Sequence, residues 1–265
     1  MTRVWALVAK ELAELRRAPA AWVPPLLTST IPLAIPLVIG LGVPALSGEA
    51  LSDSREFADA VAAAGPAFAA LGPEGAIQAW LFSQFVVLLL LSPIGGAMAL
   101  AAFSVIGEKQ ARTLEPLLAT PITTVELVAA KTLGALLPAM ALSTLGFLLY
   151  VGLIAGLAEP GVAAVVAGPR ALALIFVLGP LAGLAALLLA VTASSRVGDA
   201  RSAQQVGVLV ILPVIGLFVV QLRGDLALTA SAVLAIAAVL AVVDVMLLAL
   251  AVAVFQRESI LTRWK

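Results

Sequence analysis

The sequence predicts an all-α integral membrane protein with six transmembrane helices. An amphipathic helix along the membrane surface is expected before them, and a short cytoplasmic helix between the second and third spans. Three observations lead there. Of the 265 residues, 63% are hydrophobic and only 11% charged, whereas a soluble domain is nearer half apolar and a quarter charged. Six stretches reach the length of about 20 mostly apolar residues that a helix needs to cross the hydrocarbon core. The basic residues gather on one side of those stretches, as cytoplasmic loops do.

Composition also excludes. Fifteen Lys and Arg against fifteen Asp and Glu leave no net charge, so nothing points to nucleic acid. There is no Cys and no His. Disulfides, Cys/His metal sites, thiol nucleophiles and Ser-His-Asp arrangements are therefore out.

Residues 1–20 do not read as a cleaved signal peptide. Lys10, Glu11, Glu14, Arg16 and Arg17 interrupt the apolar core that a signal requires. At 100° per residue, Val4, Trp5, Val8, Leu12 and Leu15 gather on one face, with Lys10 and Arg17 opposite. That pattern suits a helix lying in the interface, with Trp5 at headgroup level.

The spans follow at 21–46, 79–106, 128–157, 171–193, 203–222 and 226–255. Pro24, Pro25, Pro32, Pro36 and Pro44 interrupt the first, and Pro93 the second. Prolines in the first four spans predict breaks in the helix. Gly152 to Gly156 and Gly179 to Gly183 are small-residue patterns that permit close helix approach.

An even number of spans puts both termini on one side. That side collects Arg3, Lys10, Arg16, Arg17, Lys109, Arg112, Lys131, Arg196, Arg201, Arg257, Arg263 and Lys265; the other has only Arg55, Arg170 and Arg223. Both termini are thus expected in the cytoplasm. The outer loop, residues 47–78, is acidic and rich in Ala and Gly, with a short helical pattern from Ser54 to Ala63.

The cytoplasmic segment 107–127 is more informative. Thr113 is a candidate N-cap, and Pro116 falls in the first turn, where its missing N–H costs little. Leu114, Leu117 and Leu118 share one side, and Pro121 stops the helix near Thr120. Thr123 to Glu126 is a capping-box pattern that opens the third span. A short helix set off by turns, charged at its front, suits a knob presented to a cytoplasmic partner. Folding back on its own spans is the plainer reading. Ser202 and Gln205 form a second capping-box pair, opening the fifth span.

Asp244 is the one carboxylate deep within a span. A charge there is costly, so a partner, water or protonation is expected. It is either a pathway or proton-coupling residue, or a structural carboxylate bonded to Ser, Thr or Gln of a neighbouring span. Nucleotide binding by the chain itself is not expected. The nearest approach to a phosphate-cradling loop, Ala130-Lys131-Thr132, lacks both glycines.

The run from Gly107 to Lys131 resembles the permease subunits of ABC-2 type ATP-binding-cassette exporters. The likeness rests on Glu108-Lys-Gln-Ala-Arg-Thr-Leu-Glu-Pro-Leu-Leu-Ala-Thr-Pro-Ile, with Glu126 and Lys131 following, and on Arg201 to Gln205 with Pro213. It implies that Glu108, Lys109, Arg112, Thr113, Leu114, Glu115, Pro116, Leu117, Leu118, Thr120 and Pro121 form a coupling segment seated in a groove of a separate ABC ATPase. It implies a homodimer or heterodimer of permeases with two ATPases in the plasma (inner) membrane. ATP and Mg would be held by the partner, with no cofactor on this chain. The family often carries re-entrant helices between the fifth and sixth spans. Here only a few residues around Arg223-Gly-Asp225 connect them, so a re-entrant turn would have to come from 212–222 or 226–231.

The alternative function is an ion-coupled secondary transporter centred on Asp244. A membrane enzyme is disfavoured by the missing His and Cys and by the lack of a carboxylate pair beside a phosphate-binding motif.

Overall fold

A computed structural model describes residues 2–64, 68–111, 123–194, 200–223 and 228–254. The regular elements among them are all helical. They are α1 (Thr2–Arg17), α2 (Val23–Leu37), α3 (Val43–Ser47), α4 (Arg55–Ala64), α5 (Gly72–Phe85) and α6 (Leu91–Ala111). There follow α7 (Thr124–Leu157), α8 (Val162–Val166), α9 (Pro169–Ala173), α10 (Gly179–Ser194), α11 (Ala200–Leu222) and α12 (Ala230–Val254).

Five helical stretches are long and apolar enough to cross a membrane: Pro19–Ser47, Gly72–Ser104, Val125–Leu157, Pro169–Thr192 and Ala230–Ala253. They match the predicted first, second, third, fourth and sixth spans. The second starts at Gly72 rather than at residue 79, because the helix begins before the apolar stretch and takes up the end of the loop 47–78. The predicted fifth span, 203–222, lies within the single helix α11, in which Leu209–Leu222 is a shorter apolar stretch among the described residues. The helix already runs through Ser202, so the expected cap there is not its start. It continues unbroken to Leu222, so residues 212–222 hold no re-entrant turn.

Three spans leave the α-helical path, and each does so just ahead of a proline. A π-helical segment, Val38–Gly42, precedes Pro44. A 3₁₀ segment, Val86–Leu90, precedes Pro93, and a second π segment, Leu174–Leu178, precedes Pro180. The cause is the missing proline N–H, which strands the carbonyl four residues earlier. Those carbonyls belong to Gly40, Leu89 and Phe176, all inside the altered segments. Pro138, by contrast, sits within continuous α7, so the break expected in the third span is absent.

The second span is the axis of the bundle. Within its most apolar window 94% of the residues are buried, against 22% in the first and third spans and 17% in the sixth. Helix α6 packs against α2, α7, α10 and α11. Close approach is possible because Gly95 faces Thr28 and Gly96 faces Ala139, where a Cβ would lie 2.7 and 3.2 Å from the neighbour. Gly183 of α10 likewise lies against the Pro93 carbonyl. At Gly152 and Gly156 a Cβ would meet nothing, so only the second of the two small-residue patterns is used within the chain.

In the loop between the first two spans α4 packs on α5 at the start of the second span, as the short helical pattern there predicted. Phe57 meets Trp80 edge to face. The Glu74 carboxylate accepts from the backbone N–H groups of Leu51 and Ser52, which ties the loop down.

Candidate coupling face and intramembrane polar sites

The segment predicted to couple lies between α6 and α7. Glu108 and Lys109 belong to α6, which carries the second span on to Ala111. Arg112, Thr113, Leu114, Glu115, Pro116, Leu117, Leu118, Thr120 and Pro121 lie outside the described residues. At the far end Thr123 and Glu126 form the predicted capping box. Thr123 Oγ1 accepts from the Glu126 N–H at 3.2 Å, and the Glu126 carboxylate accepts from the Thr123 N–H at 2.9 Å. Two of the donors orphaned at the start of α7 are thereby satisfied.

Just inside this cap lies a buried charge cluster. Lys131 Nζ donates to Glu11 Oε1 at 3.2 Å and to Ser104 Oγ at 3.0 Å. The Ser104 hydroxyl in turn donates to Glu11 Oε2 at 2.6 Å. The triangle joins α1, the C-terminal part of α6 and the first turns of α7. Both charged side chains are under one-tenth exposed. Taking two charges out of water is expensive, and the third hydrogen bond meets donors and acceptors that the pair alone would leave open. Gly134 allows the approach: a Cβ there would sit 2.8 Å from Glu11 Cβ. The Trp22 indole N–H caps the α1 carbonyl of Leu15 at 3.1 Å.

These contacts change the reading of α1. Val8, Glu11 and Leu15 face the bundle and are buried, while Trp5 points away and is exposed. The apolar stripe expected to lie on lipid is therefore shared between α7 and the surroundings.

Within the membrane the second span receives a partner from every neighbour. Ser92 and Ser29 bond through their hydroxyls at 2.6 Å, and the Ser29 hydroxyl donates to the Pro25 carbonyl at 2.8 Å. Where the α-helix gives way to 3₁₀, the Phe82 carbonyl accepts from Tyr150 Oη at 3.0 Å and the Ser83 carbonyl from Arg170 Nη2 at 3.1 Å. The next residue, Gln84, accepts from the side-chain amide of Gln221. Three successive residues thus take donors from the predicted third span, from Arg170 in α9, one residue ahead of the predicted fourth span, and from the predicted fifth span. Nearer the start of α5, Gln78 accepts from the Glu159 N–H.

Asp244 differs from all of these. It lies in the stripe Val233, Ala237, Asp244 and Ala251 that α12 turns inward, and it is 4% exposed. Neither carboxylate oxygen has a hydrogen-bond partner among the described residues. The Ser, Thr or Gln bond that a structural carboxylate would make is not formed there. No group of three acidic side chains suited to a metal ion occurs among the described residues.

Sequence reasoning missed Glu11, Ser104 and Gln221 as bonded groups. Two of them carried a signal. Glu11 falls at the edge of the apolar stripe of α1, and Gln221 is a lone amide in an apolar run. A polar residue in such a position needs a buried partner.

A family model described as ABC-2 family transporter protein matches residues 73–252. The matched region spans about two thirds of the chain and contains residues 107–127, the Tyr150–Phe82 bond and Asp244. No curated protein and no solved structure matches the chain.

Proposed function

Because this chain belongs to the ABC-2 family of transporter proteins, we propose that it is the permease subunit of an ATP-driven exporter, coupled to a separate ATPase through residues 107–127. The match across 73–252, which encloses that segment, is the observation that carries the reading.

In this reading Leu114, Leu117 and Leu118 seat the knob in the ATPase, and Glu108, Lys109, Arg112 and Glu115 set its register. Thr113, Pro116, Thr120 and Pro121 shape its ends. Two permease copies enclose the pathway in the plasma membrane, with both termini cytoplasmic, and ATP and Mg stay on the partner. The geometry beside the segment supports a rigid connection. The Thr123 cap and the Glu11–Lys131–Ser104 triangle fix the start of α7 to α1 and α6. A push on the knob would then move three elements together.

Leu117→Asp tests the proposal. The variant is expected to reach the membrane but to lose the ATPase subunit in a pull-down, and export with it. Retained capture and retained ATP-driven export would refute the assignment of the segment.

The unpartnered Asp244 carboxylate also suits an ion-coupled carrier. That reading predicts transport in ATP-free vesicles under a proton or sodium gradient, where the exporter stays silent.

A further inference from the structure

Arg170 is a cation that the fold only half provides for. It is the second residue of the helical stretch Pro169–Thr192, at one end of the fourth span, and is partly exposed. A long basic side chain at the end of a span ordinarily snorkels, carrying its head out to the water and phosphates of the interface. Here the guanidinium turns in toward the second span, where Nη2 donates to the Ser83 carbonyl at 3.1 Å. The Nε–H, sealed from solvent, has no acceptor among the described residues.

The charge is left unmet as well. Among the described residues no carboxylate pairs with Arg170. Glu74 accepts from the Leu51 and Ser52 N–H groups, and Glu159 is exposed. Lys131 makes the contrast, because the fold supplies it with both Glu11 and Ser104. A carbonyl or a water molecule can accept a hydrogen bond from a guanidinium, but neither offsets the charge of one that is partly out of water. An oxyanion does both. Phospholipid phosphates lie at the ends of every span, and the planar fork of arginine matches their geometry.

We propose that Arg170 is a binding site for a phosphate oxyanion, carried by an acidic phospholipid and met by the exposed part of the guanidinium where the fourth span leaves the hydrocarbon. The lipid braces α9 against the 3₁₀ break of the second span. Such a site is independent of any ATPase and of residues 107–127.

The test uses the full chain in neutral detergent, with binding followed by native mass spectrometry. The probes are dioleoylphosphatidylglycerol, dioleoylphosphatidylcholine and inorganic phosphate. Phosphatidylglycerol is expected to bind about tenfold more tightly than phosphatidylcholine. Arg170→Gln should remove that preference. Arg170→Lys, which keeps the charge without the fork, should weaken it. Arg17→Gln takes the same charge from an exposed position of α1 and should leave it unchanged. Equal binding of the two lipids to the unmutated chain would overturn the proposal, and that comparison stands even if the Arg170→Gln protein does not fold. Equal losses in Arg170→Gln and Arg17→Gln would also overturn it, by showing a general response to charge. Binding of inorganic phosphate as tight as the lipid's, and lost in Arg170→Gln, would keep the oxyanion site and assign it to the free ion.

Discussion

Lys131 and Glu11 are 120 residues apart in the chain and 3.2 Å apart in the fold. Their pairing turns a surface helix into part of the bundle. Removing one member strands the other charge in a buried place, which costs about 3–5 kcal/mol. Glu11→Ala and Lys131→Ala should each lower the unfolding midpoint in detergent sharply. Glu11→Leu with Lys131→Met, which removes both charges and keeps the volume, should recover most of the loss. A double variant as unstable as the singles would show that the pair itself was not the cause.

Gly40 and Gly152 make a contrasting pair for packing. A Cβ on Gly40 would lie 2.5 Å from the ring of Phe82, which is fully buried and has no room to withdraw. Gly40→Ala is expected to destabilise by about 1–3 kcal/mol. At Gly152 the same methyl meets nothing within the chain, and the stability of the isolated subunit should not fall. Chemical unfolding of the two variants side by side checks both.

Tyr150→Phe removes the donor from the Phe82 carbonyl and little else. A loss of about 0.5–1.5 kcal/mol is expected. Tyr150→Ala also opens a cavity in the core and should lose about 3–5 kcal/mol. Equal losses would mean that the hydroxyl, rather than the ring, carries the contribution.

The absence of cysteine gives a clean background for mapping sidedness. Single cysteines placed at Ser52 and Arg16 should react oppositely with a membrane-impermeant maleimide. Ser52→Cys is expected to label in intact cells, and Arg16→Cys only after permeabilisation. Labelling of Arg16→Cys from outside would reverse the orientation drawn from the basic residues.

Apolar length was legible in the sequence because a span must be apolar along its whole course, whether its side chains meet lipid or other helices. The five spans, the α4 helix and the Thr123–Glu126 cap follow from local patterns of apolar length and hydrogen-bonding residues. Pro93 and Pro180 showed where helices depart from ideal, but Pro138 did not, since a neighbouring packing surface can hold a proline-bearing helix straight. The Glu11–Lys131 pair was not legible: it depends on how α1 and α7 cross, and no local pattern encodes a crossing. The same holds for Gln84 with Gln221. The family resemblance at Gly107 to Lys131 agreed with the match across 73–252, while the details of the coupling segment rest on the Leu117→Asp experiment.

The burial of the second span has a genetic consequence. A helix that meets lipid on one side accepts almost any apolar substitution there, so its tolerance to change rises and falls every 3.6 residues. The first, third and sixth spans, with long exposed faces, should show that rhythm in a saturation mutagenesis screen. The second span has no such side. Read along the chain, it should stand out as an unbroken band of intolerance from Ala76 to Ala102, with glycines and serines as strictly held as the large side chains.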